Sequence, residues 1–211
     1  MDNILPLFQP SLVLIKDLHS KWDWNTIEQA IKAQPMSKEG NYNITKNKDF
    51  FNNTPAEIEQ DLLSECKTFV SNVCPMDFKF ELKMTSSWVN SMKHGEHHPW
   101  HSHPFSVVSG VIFLDNHPEN CELTFKNNID FSIPPYSLLD LDYYTTLKTL
   151  AGENLATENN LQHHLVLFYS NITHGVPQLN TLHKTRRTLS FNTFWTKEVN
   201  FGTNLNSHTF L

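Results

Sequence analysis

The hydrophobic pattern of the chain changes from helical to strand period near Phe78, and this change limits the folds that the chain can adopt. Before it, apolar residues recur at helical spacing behind Thr54-Pro55, a threonine cap followed by proline at the first helical position. From Phe78 to Thr85, apolar and polar residues alternate as in a half-buried strand. Further strand candidates follow in series: Ser86–Met92, Phe105–Leu114, Glu122–Phe125, Leu165–Tyr169 and Thr185–Trp195. Helices followed by serial strands predict a β-barrel or β-sandwich with helices on its outside.

The first third of the chain is predicted to support that β core. Ser11 to Ile15 is a short strand candidate, Asn25 to Gln34 a short helix, and Ser37 to Asn53 a long surface loop rich in asparagine. At 211 residues the chain is long enough for one sizeable core, so we predict a single domain. It has three parts: a helical support with the first strand (1–77), the β core (78–200) and a tail (201–211).

Four of the twelve histidines lie within seven residues, from His97 to His103. His101 and His103 are two positions apart, so in an extended segment their imidazoles leave the same face, as two adjacent ligands of one metal ion require. The run after Pro104 is apolar and β-branched, which is typical of a strand buried on both faces. The two histidines are therefore predicted to lie at the mouth of a barrel or sandwich, and a third ligand must come from elsewhere.

Two later segments supply polar side chains to the same predicted site. His174 follows the buried strand candidate Leu165–Tyr169 and is the candidate third ligand. Between Arg186 and Asn192, polar residues occupy one face of a strand and apolar residues the other. In an ordinary half-exposed strand the polar face would meet solvent. If helices cover the apolar face, the polar face lines the barrel interior beside the metal.

Six short motifs follow one another across the second half of the chain. They are Trp88-Val89-Asn90, His101-Ser102-His103-Pro104, Ser109-Gly110-Val111, Leu167-Phe168, His174-Gly175-Val176, and Arg186 to Ser190-Phe191-Asn192. In this order and spacing, over about half of the chain, they resemble the 2-oxoglutarate- and Fe(II)-dependent oxygenases of a group found in bacteria and phages. The resemblance implies a mainly β fold: a double-stranded β-helix (a jelly roll, cupin-like) with flanking N-terminal α-helices. It also implies Fe(II) near one end of the barrel, chelated by 2-oxoglutarate.

The resemblance further implies roles for individual residues. His101 and His174 correspond to the two histidine ligands of the superfamily. Arg186 corresponds to the arginine that pairs with the distal carboxylate of 2-oxoglutarate, and Thr188 to the hydroxyl two positions later. A guanidinium group offers a fixed fork for a carboxylate, so the chemistry of Arg186 agrees with this role.

Position 103 departs from the superfamily's pattern, because a histidine stands where a carboxylate is usual. His103 can itself be the third ligand of a three-histidine site, which leaves the metal identity open among Fe, Zn, Cu and Ni. A carboxylate from elsewhere, such as Glu96, Asp115 or Glu122, can complete the site instead, or one coordination position can stay open to water or substrate. We favour the first interpretation, because a His-x-His segment supplies adjacent ligands directly.

Two classes of function are consistent with these residues. The first is an oxygenase that uses Fe(II), 2-oxoglutarate and O2 to hydroxylate a small-molecule or peptidyl substrate; Asn90 and Ser109 are further candidates there for polar contacts to the cosubstrate. The second is a cupin-like metal-binding protein, or a three-histidine metalloenzyme, that does not use 2-oxoglutarate. Arg186 discriminates between them, since only the oxygenase needs it to hold a carboxylate.

Charge and hydropathy argue against several partners. With 16 Lys and Arg against 22 Asp and Glu, the formal net charge is −6, which leaves no basic surplus for a phosphate backbone. No leader-like N-terminus and no bilayer-spanning apolar run is present, so we expect a soluble, cytoplasmic protein without a membrane partner. The segment from Pro134 to Asn160 is long for a connection and is predicted to be either a substrate lid or a surface excursion.

Overall fold

A computed structural model of the chain describes residues 13–73, 80–126, 144–146, 161–182 and 184–196. These residues form two α-helices, α1 (Trp24–Lys32) and α2 (Ala56–Val73). Two short 3₁₀ helices span Phe50–Asn53 and Pro118–Glu122. The strands are β1 (Val13–Asp17), β2 (Met36–Glu39), β3 (Tyr42–Thr45), β4 (Leu82–Met92), β5 (His98–His101), β6 (Val108–Phe113), β7 (Thr124–Lys126), β8 (Tyr144–Thr146), β9 (His164–Tyr169), β10 (Thr173–Val176) and β11 (Arg186–Trp195).

The strands form two antiparallel sheets of a double-stranded β-helix. The larger sheet has the order β1-β9-β6-β11-β4-β3-β2, and the smaller sheet has the order β5-β10-β7-β8. Strand β11 lies in the middle of the larger sheet, paired with β4 on one side and β6 on the other. The mainly β, jelly-roll fold with N-terminal helices that the sequence predicts is confirmed.

The larger sheet separates two hydrophobic clusters. On its outer face, Leu62 of α2 packs with Leu189 and Phe191 of β11. Between the sheets, Phe125 of β7 packs with Phe168 of β9. Each fully buried side chain of this size contributes about 1.5–3 kcal/mol to folding. Strand β11 therefore turns its apolar residues toward the helices and its polar residues toward the space between the sheets, which is the second of the two alternatives that its sequence left open.

The prediction of a surface loop from Ser37 to Asn53 is wrong. Strands β2 and β3 form a hairpin around Gly40, whose φ is +58°, and β3 joins the hairpin to β4 of the larger sheet. Tyr42 and Ile44 point inward and are 6% and 5% exposed. Strand pairing requires only backbone groups, so an asparagine-rich segment with two apolar residues at alternate positions is sufficient for a strand.

Two other expectations concern the ends of the barrel. Strand β5 ends at His101, so His103 lies beyond it rather than on the same strand. The segment from Pro134 to Asn160, predicted to be either a substrate lid or a surface excursion, lies outside the described residues except for β8. Within the described ranges, no helix is both long enough and apolar enough to cross a membrane.

Candidate active site

His101 and His174 face each other on neighbouring strands. The antiparallel register of β5 and β10 pairs them directly, and their ring centroids are 4.3 Å apart. Each ring is held by a carbonyl two residues earlier: His101 Nδ1 lies 2.9 Å from Pro99 O, and His174 Nδ1 lies 3.0 Å from Ile172 O. Because a carbonyl oxygen only accepts, Nδ1 carries the proton in both rings. Both Nε2 lone pairs are therefore left for a metal ion.

His103 joins this pair from the loop after β5. Its backbone N–H donates to Ser170 O at 2.8 Å, which fixes the loop against the end of β9. Its ring centroid lies 4.9 Å from that of His101 and 5.1 Å from that of His174. Ligand atoms of the three histidines lie within 4.8 Å of one another, and the described residues contain no other such group of three or more His, Cys, Asp or Glu side chains. The loop, not strand alternation, brings His103 to the site.

Burial keeps the three imidazoles neutral, which is the form that binds metal. Burial, followed by the neighbouring His101, lowers the pKa of His174 to about 3 and the pKa of His103 to about 4. Burial also lowers the pKa of His101. Three neutral nitrogen donors fit a divalent first-row metal ion such as Fe(II), although imidazole alone does not discriminate Fe(II) from Zn or Ni.

The carboxylates considered as alternative ligands stand outside this group. Glu96 Oε2 accepts a hydrogen bond from the backbone N–H of Lys93 at 2.7 Å. Asp115 binds Arg187, with 2.6 Å between Oδ1 and Nη2 and 2.9 Å between Oδ2 and Nε. Neither of them, nor Glu122, belongs to the cluster of ligand atoms. The geometry therefore favours a three-histidine site.

Arg186 is buried at the start of β11, and the part of the chain that the structure describes contains no carboxylate bound to it. It is 2% exposed; Nη1 lies 3.9 Å from Met92 Sδ, and the guanidinium lies 5.3 Å from the centroid of the Phe113 ring. Nε and Nη2 have no hydrogen-bond partner in the described residues. Burial lowers the pKa of Arg186 to about 10, so the group remains charged at neutral pH. A buried charge with unused donors is costly, so this position fits an anionic ligand.

Three polar side chains continue the wall beside Arg186. Thr188 and Ser190 lie on the same face of β11 as Arg186. Asn90 lies on the neighbouring strand β4, directly opposite Thr188. Asn90 Nδ2 lies 3.2 Å from Ser190 Oγ and 3.5 Å from Thr188 Oγ1. Asn90 Oδ1 is buried and has no partner among the described residues. Asn90 therefore keeps hydrogen-bonding capacity for a ligand.

Ser109 differs from Asn90 because its hydroxyl already has partners within the protein. Its Oγ donates to Asn192 Oδ1 at 2.7 Å and lies 2.8 Å from Ser170 Oγ. The side chain borders the cavity but uses its proton internally. A ligand could reach only its remaining acceptor capacity.

The histidines, Arg186 and the polar wall share one cavity of about 460 Å³, counted to its open mouth. Both sheets contribute to it. Its polar lining consists of His98, His101 and His174 from the smaller sheet, His103 from the following loop, and Asn90, Ser109, Arg186, Thr188 and Ser190 from the larger sheet. Among the described residues, no acidic side chain lines the cavity, so its charge favours an anion.

His98 is a site residue to which the sequence analysis assigned no role. Its ring stacks on that of His101, with centroids 4.3 Å apart and planes at 23°, and its Nε2 lies 3.0 Å from Tyr42 OH. Burial lowers the pKa of His98 to about 3. In a regular strand, His98 and His101 would point to opposite faces. Here His101 pairs with His174 and His98 pairs with Val176, so β5 advances three residues while β10 advances two, which is a β-bulge in β5. This bulge has no evident signal in the sequence.

A double-stranded β-helix with a histidine cluster beside a buried arginine is the arrangement of a jelly-roll metalloenzyme. Residues 86–192 match a family model described as "Putative 2OG-Fe(II) oxygenase", where 2OG is 2-oxoglutarate. The match spans just over half of the chain and includes every metal and cosubstrate candidate. The chain therefore belongs to this family: it is an oxygenase, with Fe(II) and 2-oxoglutarate as its cofactor and cosubstrate. The family match favours this function over a cupin-like protein that does not use 2-oxoglutarate.

Solved structures show the same fold at low sequence identity. A 2OG-Fe(II) oxygenase family oxidoreductase from Burkholderia pseudomallei has a TM-score of 0.56 and 11% identity, covering 86% of this chain and 84% of that one. The α-ketoglutarate-dependent epimerase SnoN of nogalamycin biosynthesis has a TM-score of 0.60 and 8% identity, covering 89% and 79%. HygX from Streptomyces hygroscopicus, solved with nickel and 2-oxoglutarate, has a TM-score of 0.53 and 10% identity, covering 87% and 83%. No curated protein sequence is significantly similar to the chain.

Proposed function

We propose that His101, His103 and His174 hold Fe(II), that Arg186 and Thr188 bind the distal carboxylate of 2-oxoglutarate, and that the enzyme hydroxylates a small-molecule or peptidyl substrate. The observation that carries this proposal is the guanidinium of Arg186. It is charged, 2% exposed and short of hydrogen-bond acceptors among the described residues, and it lines the cavity of the three histidines. A fork of N–H donors is suited to a carboxylate.

Charge supports this assignment. The three histidines are neutral, so a divalent ion would keep its full charge, and Arg186 adds one more positive charge to a cavity whose described lining has no acidic residue. A dicarboxylate such as 2-oxoglutarate would balance most of this charge. One end of the dianion would meet the metal and the other would meet Arg186.

The protein contributes positioning and exclusion of water. Bound Fe(II) would activate O2, so that one oxygen atom enters succinate as 2-oxoglutarate loses CO2 and the other is inserted into a substrate C–H bond. The Pro99 and Ile172 carbonyls hold the two strand histidines with Nε2 unprotonated. Trp88 and Phe168 give the cavity apolar walls, which strengthen the attraction between Arg186 and an anion.

Asn90 and Ser109 are proposed as additional polar contacts to the cosubstrate. Asn90 is the stronger of the two, because one atom of its side-chain amide has no partner among the described residues. If the amide turns over, Nδ2 rather than Oδ1 faces the ligand and donates to a carboxylate oxygen. Ser109 would have to redirect its hydroxyl proton from Asn192 to the cosubstrate, because the 2-oxoglutarate dianion only accepts hydrogen bonds.

We also propose a cytoplasmic enzyme that acts without nucleic acid or a membrane. The buried, free thiol of Cys66 suits a reducing compartment. The net charge of −6 disfavours a phosphate backbone as partner.

Calorimetric titration of 2-oxoglutarate into anaerobic protein tests the cosubstrate site. We expect binding to the Fe(II)-loaded protein, much weaker binding to the metal-free protein, and loss of most of the affinity in Arg186→Met. Arg187→Met is the matched control, since the adjacent arginine lies outside the cavity and is paired with Glu28 and Asp115. Absence of 2-oxoglutarate binding to protein of confirmed iron content would refute the proposal, as would equal losses in both variants.

The hydroxylase reaction requires its own test, because the acceptor is unidentified. Incubation with Fe(II), 2-oxoglutarate and ¹⁸O2 in pools of metabolites and peptides should produce succinate and one compound that gains a single labelled oxygen atom. A product that is epimerised or desaturated without gaining oxygen would refute the proposed hydroxylation, although it would be consistent with membership of the oxygenase family.

A further inference from the structure

We propose that His98 binds the cosubstrate: its imidazole, oriented by Tyr42, donates a hydrogen bond from Nδ1 to the carboxylate at the 2-oxo acid end of 2-oxoglutarate. This inference rests on the proposed function, since it requires 2-oxoglutarate in the cavity between the two sheets. His98 would bind the 2-oxo acid end of the molecule, whereas Arg186 is proposed to bind the distal carboxylate.

Tyr42 determines which nitrogen of His98 carries the proton. Tyr42 OH lies 3.0 Å from His98 Nε2, and the phenol is 6% exposed. A phenol O–H is the more acidic donor of the pair, so it donates to Nε2, and the neutral imidazole then holds its own proton on Nδ1. No described residue accepts a hydrogen bond from Nδ1, and the ring lines the cavity. His98 therefore presents a donor of defined orientation beside the histidine cluster.

The location of His98 selects the end of the ligand that it can reach. Its ring stacks on the proposed metal ligand His101, with the centroids 4.3 Å apart. The polar residues grouped with Arg186 all belong to the larger sheet, whereas His98 is the only polar lining residue of the described smaller sheet that is not a proposed ligand. A dicarboxylate that spans the cavity from Arg186 to the histidines would bring its 2-oxo acid end to His98. A carboxylate has lone pairs for both a metal ion and an N–H donor.

A second pair across the same gap provides a control. Asn41 Nδ2 lies 2.6 Å from His97 Nδ1, so the residues that immediately precede Tyr42 in β3 and His98 in β5 form a second, similar contact. His97 is exposed and does not line the cavity. Changes at His97 therefore disturb the contact between β5 and the hairpin without touching a ligand.

The test compares two 2-oxo acids by calorimetry on anaerobic, Fe(II)-loaded protein. 2-Oxopentanoate has the 2-oxo acid end of 2-oxoglutarate but a methyl group in place of the distal carboxylate. We expect His98→Phe, which keeps the stacked ring but removes its donor, to weaken both ligands by the same factor, roughly 10- to 100-fold, the value of a hydrogen bond to a charged group. Arg186→Met should weaken 2-oxoglutarate and leave 2-oxopentanoate nearly unchanged.

Two further variants separate a donor from a packing role. His98→Asn places an amide N–H near the position of Nδ1 and should recover part of the affinity. Tyr42→Phe removes only the orienting hydroxyl and should cause a smaller loss than His98→Phe. His97→Phe should bind both ligands as the natural protein does, and the iron content should be equal in all variants.

Several outcomes would overturn the inference. The inference fails if His98→Phe binds 2-oxoglutarate with an affinity within twofold of that of the natural protein, or if the variant loses iron. It also fails if the variant loses affinity for 2-oxoglutarate but not for 2-oxopentanoate. An equal loss in His97→Phe would assign the effect to packing of the hairpin. Failure of the natural protein to bind 2-oxoglutarate would instead refute the proposed function, so the two failures are distinguishable.

Discussion

Arg186→Met should stabilise the metal-free protein while abolishing its response to cosubstrate. The substitution removes a charge that is 2% exposed and has two nitrogen donors without partners among the described residues. Methionine retains an unbranched, flexible side chain that can fill much of the same space beside Met92 and Phe113. Replacement of a buried, poorly compensated charge by an apolar side chain is often neutral or stabilising.

The expected change in the free energy of unfolding follows from the pKa of Arg186. Burial lowers the pKa of Arg186 from 12.5 to about 10, and at about 1.36 kcal/mol per pKa unit this difference corresponds to roughly 3 kcal/mol. The aromatic ring of Phe113, 5.3 Å away, offsets about 0.5–2 kcal/mol of that cost. We therefore expect the free energy of unfolding to rise by about 1–3 kcal/mol in Arg186→Met.

The same substitution at the next residue, Arg187→Met, should lower the free energy of unfolding rather than raise it. Arg187 makes two hydrogen bonds to Glu28, at 2.8 and 3.0 Å, and binds both oxygens of Asp115. Hydrogen bonds with Asp115, and then those with Glu28, raise the pKa of Arg187. Arg187→Met leaves two partly buried carboxylates without their counter-charge, and we expect it to cost about 1–3 kcal/mol.

Urea unfolding of metal-free protein at pH 7 measures both values. A second series compares Fe(II)-loaded protein with and without saturating 2-oxoglutarate. The cosubstrate should add stability to the natural protein and to Arg187→Met, because a ligand that binds only the folded state shifts unfolding, but should add little to Arg186→Met. A loss of more than about 1 kcal/mol in metal-free Arg186→Met would refute the reasoning. It would mean that the guanidinium already has a favourable partner in the ligand-free protein.

Three further predictions concern the scaffold. Gly110→Ala should cost about 1–3 kcal/mol, because a Cβ there would lie 2.1 Å from the nearest ring atom of Phe191; in a Phe191→Leu background the cost should mostly disappear, and additivity in urea unfolding would contradict this. The free energy of unfolding of metal-free protein should fall as pH decreases from 7 to 4. Burial lowers the pKa of His98 and His174 to about 3, so only the unfolded chain takes up their protons in this range, and a flat pH profile would contradict the assignment. Phe105→Asn should be neutral or stabilise by up to about 1 kcal/mol, since Phe105 is 89% exposed at φ +64°; a lower melting temperature would show that its ring has a packing role.

The parts of the structure that depend on local pattern were predictable. The alternation from Arg186 to Asn192 separates a polar face from an apolar one, and the helical stripe of α2 supplies the cover for the apolar face. Together they place Arg186 inside the barrel. The grouping of His101, His103 and His174 was predicted from the two-residue spacing of the first pair and from the position of His174 after a buried strand candidate.

The parts that depend on tertiary pairing were not predictable. His98 reaches the cavity only because of a bulge in β5, and its partner Tyr42 belongs to a hairpin whose composition is typical of a loop. His103 occupies the site through a loop held by the Ser170 carbonyl, a contact between residues 67 positions apart. No periodicity in one segment reports such contacts.

The division of the site between two sheets bears on how such enzymes can diversify. The proposed contacts to the distal carboxylate, Arg186 and Thr188, lie on β11, which has a paired strand on each side, whereas β5 is the edge strand of the smaller sheet. Residues of interior strands are constrained by two neighbours, while an edge strand and its loops can change length and sequence at lower cost. A lineage could therefore acquire new substrates by altering the residues of β5 other than its histidines, while Arg186 and Thr188 keep their proposed contacts with the distal carboxylate.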